Sequence, residues 1–134
     1  MFGSLDISAS ALVAQRQRMT AIASNMAMRP VAVDPNANPD DFRRRVVVFA
    51  PGDPSTGTAE GVHVKEIMFD QSPFRLVKDE GHPFADADGY VKYPNIDPSI
   101  ETVNAIEASR AYEANITMAE STKSMMQASL RILA

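Results

Sequence analysis

The sequence predicts a mainly α-helical protein in which N- and C-terminal helices pair as a coiled-coil-like unit around a small β-rich insertion. Apolar residues recur every seven positions near both ends of the 134-residue chain. Eight of the nine prolines and five of the six glycines lie between residues 30 and 95. Heptad spacing is typical of packed helices, whereas proline and glycine mark turns. We therefore expect a terminal helical domain of residues 1–29 and 97–134, with residues 30–96 as the β-rich and loop insertion.

The first predicted element is a helix over residues 5–28. Its apolar stripe repeats once per heptad, at Leu5, Leu12, Met19 and Met26, with Ala9, Ile22 and Ala23 beside it. The positions between are polar or small, so the helix has one face suited to packing against a second helix. Pro30 ends the element, because the residue before a proline is disfavoured in the α region.

Short strands and turns are predicted in the insertion. Residues 45–49 are rich in β-branched side chains and predict a strand, and residues 51–57 are rich in turn formers. A weaker strand is predicted at residues 74–77. Residues 81–83 and 88–89 have the composition of tight turns.

One irregularity is visible in the strand pattern. Val62 and Val64 alternate with polar neighbours, but Ile67 and Phe69 continue the alternation on the other parity. Because side chains of a strand point alternately to its two faces, a change of parity predicts a bulge or a switch of face.

The last predicted element is a helix over residues 98–133. Asp97 is suited to cap it, and Pro98 fits the first helical position. Its stripe consists of Ala105, Tyr112, Ala119, Met126 and Leu133, widened by Ala108, Ala111, Ile116 and Leu130. Such a helix is about 50 Å long, whereas a compact domain of this size is only about 36 Å across. The helix is therefore expected to extend beyond the globule and to meet another chain, as in a polymer subunit.

Composition and charge exclude several classes of function. The chain has no cysteine, so disulfides, thiolate metal sites and cysteine nucleophiles are excluded. Its net charge is −4, with nine acids against four bases in residues 51–100, which argues against a nucleic-acid partner. Residues 1–14 lack the basic start of a secretory signal, so we expect no cleaved signal peptide. The longest apolar run is far too short for a transmembrane segment.

Several motifs resemble those of one protein family. The N-terminal runs 6–12 and 23–27 are similar to the N-terminal signature of flagellar rod and hook proteins. Further motifs resemble, in the same order, the proximal-rod members of the flagellar basal-body rod family: Gly61-Val62-His63-Val64, Asp70-Gln71-Ser72-Pro73, Gly81-His82-Pro83, residues 87–92 and residues 108–115. The resemblance extends over nearly the whole chain.

This resemblance implies a function. The chain is expected to be a structural subunit of the proximal rod, without catalysis, cofactor, metal or small-molecule substrate. It would be exported by the flagellar type III apparatus without signal cleavage, and would assemble with other axial proteins and with copies of itself. The terminal helices would form the inner wall of a rod that crosses the periplasm and transmits torque. The expected subunit interface comprises Leu5, Leu12, Met19, Met26, Tyr112, Ile116, Ala119, Met126, Leu130 and Leu133.

Two other functions are compatible with parts of the sequence. The chain could be a helical interaction module, such as an export chaperone or coiled-coil adaptor, although the β-rich insertion disfavours this. It could also be a small hydrolase that uses His82 with Asp86 or Asp88. Neither His63 nor His82 has a nearby second histidine in the sequence, and a zinc site needs three or four clustered ligands.

Two charged motifs have simpler explanations than ligand binding. Residues 86–89 resemble the centre of a calcium loop but lack its other ligands, so a tight turn is expected. Arg43, Arg44 and Arg45 follow Asp40 and Asp41, so a solvated or interface patch of ion pairs is favoured over a phosphate site.

Overall fold

The computed structural model describes residues 2–55 and 57–134 as two long helices and two small antiparallel sheets. The helices are α1 (Phe2–Met28) and α2 (Pro98–Leu133). The strands are β1 (Arg45–Asp53) and β2 (Thr58–Phe69) in one sheet, and β3 (Arg75–Lys78) and β4 (Tyr90–Tyr93) in the other. The predicted fold class is confirmed. The division into a terminal domain and an insertion remains a prediction, and its first residue lies outside the described range.

The helix ends agree with the prediction except at the start of α1, which begins at Phe2 rather than at residue 5. The Asp97 carboxylate accepts a hydrogen bond from the backbone N–H of Ser99 at 2.8 Å, and Pro98 occupies the first turn of α2. A side-chain acceptor at this position satisfies an amide that has no partner within the helix. Helix α1 ends at Met28, just before Pro30, as predicted.

The two helices run antiparallel to each other. The Arg18 guanidinium lies 3.2 Å from the Glu107 carboxylate, and the Asn25 amide lies 3.0 Å from the Glu101 carboxylate. Moving toward the C-terminus of α1 thus means moving toward the N-terminus of α2. At a rise of 1.5 Å per residue, α1 is about 40 Å long and α2 about 54 Å. With the same register along both helices, the C-terminal end of α2 extends about ten residues beyond the N-terminal end of α1, as the sequence predicted.

The long hairpin contains the predicted bulge. Val48 pairs with Glu66 and Phe49 pairs with Val64, so Lys65 has no opposite residue in β1. A strand that gains one residue reverses the direction of its following side chains. This extra residue explains the change of parity in the sequence.

Two details of the insertion differ from the prediction. Residues 51–53 were expected in a turn but continue β1, because Gly52 adopts a φ of 86° at a second irregularity and the ladder resumes at Asp53. A side chain at Gly52 would place its Cβ 2.7 Å from the Thr58 carbonyl oxygen. Residue 56 of the predicted turn lies outside the described residues. Strand β4 was not predicted.

The hairpin is attached to α1 through Ser10. The Ser10 hydroxyl donates to the Ile7 carbonyl at 2.7 Å and accepts from the Val62 N–H at 3.1 Å. Gly61, with a φ of 88°, allows this approach, since a Cβ there would lie 2.7 Å from the Ser10 oxygen. Within the described residues, neither helix carries an apolar stretch long enough to cross a membrane.

Candidate assembly surface

A buried polar cluster joins both helices to the hairpin. Glu101 of α2 is completely buried, and its carboxylate accepts hydrogen bonds from Arg44 Nε at 2.6 Å and from Asn25 Nδ2 at 3.0 Å. The Asn25 side chain also pairs with the backbone of Arg45: its Oδ1 accepts from the N–H at 2.8 Å, and its Nδ2 donates to the carbonyl at 2.9 Å. We call Asn25, Arg44, Arg45 and Glu101 the polar cluster.

The polar cluster fixes how α1, β1 and α2 sit relative to one another. A buried carboxylate is tolerated only when it is paired and hydrogen-bonded. Glu101 meets both conditions only when Asn25 and Arg44 are in place, so a shift of either helix would leave its charge unpaired. Among the residues that the structure describes, the buried apolar ones are few and none is aromatic: Ala14, Ala21, Ile22, Val33, Val91, Ile96 and Ala108. With so little apolar packing, the polar contacts carry much of the positional specificity.

The sequence pattern did not predict this cluster. Arg44 and Arg45 were expected in a solvated or interface patch, but both are half-buried and bind within the chain. Arg43 does pair with the nearby Asp40, but the partner of Arg44 lies 57 residues away in the sequence. An available signal was Asn25, a polar residue next to Met26 of the predicted apolar stripe.

Arg43 joins the start of β1 to the segment after β2. Its guanidinium lies 3.1 Å from the Asp40 carboxylate and donates to the backbone carbonyls of Asp70 and Ser72. The Ser72 N–H donates to the Asp70 carboxylate at 2.9 Å and holds the pKa of that carboxyl below its usual value. The Ser72 hydroxyl and the charges of Arg44 and Arg43 lower this pKa further. These bonds tie together both ends of the hairpin.

The predicted interface residues fall into two groups. Half-buried residues are Leu5, Leu12, Met19, Tyr112, Ile116, Ala119 and Met126. Exposed residues are Met26, Leu130 and Leu133. Part of each half-buried side chain remains accessible to solvent. Leu130 and Leu133 lie where α2 extends past α1. Whether these residues contact other subunits stays a prediction.

The solvent-accessible surface of the chain is larger than that of a compact monomer. Its accessible area is 8877 Å², whereas a compact monomer of this mass exposes about 6,900 Å². The difference, about 2,000 Å², exceeds the area that one partner contributes to a standard protein interface. The chain therefore exposes more surface than a compact monomer of its mass, as expected where a long helix extends beyond its partner.

Some of this surface was not in the predicted interface. Large apolar side chains are exposed along α2 at Ile100, Val103, Ile106, Met118, Met125 and Ile132. The apolar row predicted from the sequence includes Met126. Its neighbour Met125 belongs to another heptad row and is 60% exposed. That second row was readable from the sequence, as Met118, Met125 and Ile132 are also seven residues apart.

The residues considered for catalysis make backbone contacts. His63 Nδ1 lies 2.7 Å from the Gly52 carbonyl oxygen, and His82 Nδ1 accepts from the Phe84 N–H at 3.1 Å. The Asp86 carboxylate accepts from the N–H groups of Asp88 and Tyr90, which is the geometry of a tight turn. In the part of the chain that the structure describes, no three histidine, aspartate or glutamate side chains gather as a metal site would require.

Comparison with known proteins identifies relatives across nearly the whole chain. Residues 87–132, which include β4 and most of α2, match the family described as "Flagellar basal body rod FlgEFG protein C-terminal". A protein of Salmonella typhimurium strain LT2 named "Flagellar basal-body rod protein FlgC" is 44% identical over 131 residues, covering 95% of this chain and 93% of that protein.

Proteins with the same name from other bacteria give the same result. The one from Yersinia enterocolitica is 43% identical over 127 residues, again covering 95% of this chain and 93% of its own length. The one from Bacillus subtilis strain 168 is 39% identical over 145 residues, covering 98% and 97%. The similarity thus includes α1, the insertion and α2 together.

Proposed function

The chain belongs to the FlgC family of flagellar basal-body rod proteins, and from this premise we propose that it is a structural subunit of the proximal rod rather than an enzyme. The observation that carries the proposal is similarity over at least 93% of the length of relatives named as rod proteins. The exposed surface supports it, because the uncovered apolar side chains of α2 need a partner.

We further propose how the subunit reaches and occupies the rod. It is exported by the flagellar type III apparatus without signal cleavage and assembles with other rod proteins and with copies of itself. Its terminal helices lie in the inner wall of a rod that crosses the periplasm and transmits torque, and residues 30–96 lie further out. Deleting residues 2–28 should block secretion, since α1 would carry the export information. Normal secretion of the truncated chain would show that this information lies elsewhere.

Substitutions in α2 test whether the helices mediate assembly. Met126 and Ala119 belong to the predicted interface, so Met126→Asp or Ala119→Asp should prevent rod assembly and abolish swimming, because an unpaired buried charge costs several kcal/mol at every copy. Reversing the charge of Asp53, at the end of β1, should have a much milder effect. Motility and the yield of purified basal bodies are the measurements, with chain levels and secretion as controls.

Two outcomes would count against the proposal. Cells that carry Met126→Asp and still build normal rods would show that the predicted stripe is not an assembly surface. A cryo-EM map of purified basal bodies that lacks this chain would contradict the rod function itself and would favour the alternative, a helical interaction module or export adaptor.

A further inference from the structure

A cavity of about 260 Å³ lies beside the polar cluster, between α1, β1 and α2. It is lined by three guanidinium groups, those of Arg18, Arg44 and Arg45, and by the buried carboxylate of Glu101. We call this cavity the arginine pocket. Within the described residues Arg45 forms no ion pair, and its guanidinium donates one hydrogen bond, to the Ser24 hydroxyl at 2.7 Å.

The arginine pocket has an excess of positive charge and of hydrogen-bond donors. Arg44 pairs with Glu101, and Arg18 pairs with Glu107, which lies outside the pocket. A guanidinium group carries five N–H donors. In the described part of the chain, each of the three groups gives only one of them to a protein acceptor. Because guanidinium groups bind carboxylates through two parallel hydrogen bonds, the pocket is suited to one further carboxylate.

The walls of the pocket favour a carboxylate that belongs to a protein side chain. Ile22 and Val46 line the pocket together with the arginines. A free inorganic anion would leave these apolar groups in contact with water, whereas an acidic side chain brings carbon atoms that cover them. Removing apolar surface from water is favourable, so the occupant that suits both the charge and the walls is an aspartate or glutamate.

The chain itself carries a segment of complementary charge. Residues 79–88, between β3 and β4, contain four acids and no lysine or arginine: Asp79, Glu80, Asp86 and Asp88. We call this segment the acidic loop. All four acids are exposed, and the first three have partners nearby in the same chain. Among the described residues the Asp88 carboxylate has no such partner, since only its backbone N–H is bonded.

Asp88 is presented in a way that lets it enter a cavity. Its neighbours in the sequence are Ala87 and Gly89, so no large side chain beside it blocks the approach to a recessed guanidinium. Two backbone hydrogen bonds hold this end of the acidic loop: the Gly89 N–H donates to the Asp86 carbonyl at 3.0 Å, and the Asp79 N–H donates to the Gly89 carbonyl at 2.9 Å. A turn that is already ordered loses little conformational entropy on binding.

We propose that Asp88 of one copy binds in the arginine pocket of a neighbouring copy, where its carboxylate pairs with Arg45. This inference rests on the proposed function, since it names a contact by which the insertion joins adjacent subunits. Within one copy Asp88 is not among the residues that line the pocket, so the contact joins two copies. The two sides of the contact differ, and such heterologous contacts generate rings or open helical assemblies. A second copy is the occupant because every copy carries both complementary charges.

The first test exchanges the two charges. Asp88→Arg or Arg45→Asp alone should lower the yield of basal bodies at least about tenfold, because like charges then meet in the contact. The double variant, which restores the opposite charges, should recover the yield to within about threefold of the unmodified chain. The control Asp41→Arg reverses another exposed acid and should leave the yield within about twofold. Thermal unfolding of the purified variants checks that each chain still folds.

The second test uses cross-linking and leaves both charges in place, so it decides the contact even if Arg45→Asp prevents folding. The chain has no cysteine, and Asn104 lines the arginine pocket. The variant with Ala87→Cys and Asn104→Cys, treated with a short bis-maleimide in isolated basal bodies, should give a ladder of covalent dimers and larger products. Either single variant should give none, because the contact joins unlike positions. The control pair, Ala59→Cys with Asn104→Cys, uses an exposed alanine of β2 and should also give none.

The outcomes separate this inference from the proposed function. A chain that is present in basal bodies but gives no ladder, or gives the same ladder from the control pair, overturns the contact and leaves the rod function intact. Loss of basal bodies from Arg45→Asp without recovery in the double variant and without a ladder assigns the pocket to another rod protein and overturns the second copy as its occupant. A chain that is absent from basal bodies contradicts the rod function. In that case the same cross-linking of the concentrated purified chain decides the contact: a ladder from the Ala87→Cys and Asn104→Cys pair alone supports it, and no ladder overturns it.

Discussion

The polar cluster predicts an unequal response to removing its two charged members. Glu101 has no exposed side-chain area, whereas 24% of the Arg44 side chain is exposed. When Glu101→Leu removes the carboxylate, the Arg44 guanidinium can still reach water. When Arg44→Met removes the guanidinium, the carboxylate stays buried with Asn25 as its remaining partner. Arg44→Met should therefore destabilise the chain more than Glu101→Leu.

The magnitudes follow from the burial of each group. Breaking a buried pair so that a charge stays behind costs about 3–5 kcal/mol. Loss of hydrogen bonds whose partners can be rehydrated costs about 1–2 kcal/mol. For a chain of this length each kcal/mol lowers Tm by about 3–5 °C, so Arg44→Met should lower Tm by about 15 °C and Glu101→Leu by about 6 °C. The double variant should recover most of the loss caused by Arg44→Met, because it contains no buried charge.

Urea and thermal unfolding followed by circular dichroism would measure these values, with all four members of the double-mutant cycle in the same buffer. The exposed pair of Arg18 and Glu107 provides the control, since breaking it with Glu107→Gln should cost less than about 1 kcal/mol. If Glu101→Leu proves as destabilising as Arg44→Met, or if the double variant loses the sum of both single losses, then the buried carboxylate does not govern the cluster and the reasoning fails.

Two further predictions concern the hairpin. Gly61→Ala should cost about 2 kcal/mol of stability, because it introduces a side chain at a positive φ and displaces the Ser10 hydroxyl from Val62. The control Gly57→Ala, at a φ of 69° with nothing within 4 Å of its Cβ, should cost less in the same unfolding assay. Equal losses would contradict a role for Ser10. Asp70 has a folded pKa below its usual 3.8, so its contribution to stability is present above that pH and is lost as pH falls through the folded pKa. Asp70→Asn should therefore destabilise the chain at pH 7, and its cost should shrink as the pH falls below 3.8. A cost that does not change with pH would show that the carboxylate charge is not involved.

The sequence by itself determined the elements of this protein and their limits. The heptad stripes, Pro30, Asp97 and Pro98 are local signals, and they placed both helices within about three residues of their observed ends. The parity change around Val64 and Ile67 located the bulge for the same reason, because alternation along a strand is a property of neighbouring residues. The length of α2 compared with a compact globule predicted that the helix extends beyond its partner.

Only the tertiary structure decided which faces of the helices are covered and what holds them. A heptad stripe specifies that a face will pack, but α2 carries two such rows, and periodicity alone does not tell which row meets the other helix of the same chain. The choice is made by Asn25, Arg44 and Glu101, which are far apart in the sequence and act only when all three meet. Their bonds hold one row of α2 toward α1 and leave the row of Met118, Met125 and Ile132 exposed. Pairing between distant polar groups depends on distance and burial, and neither quantity is present in a sequence pattern.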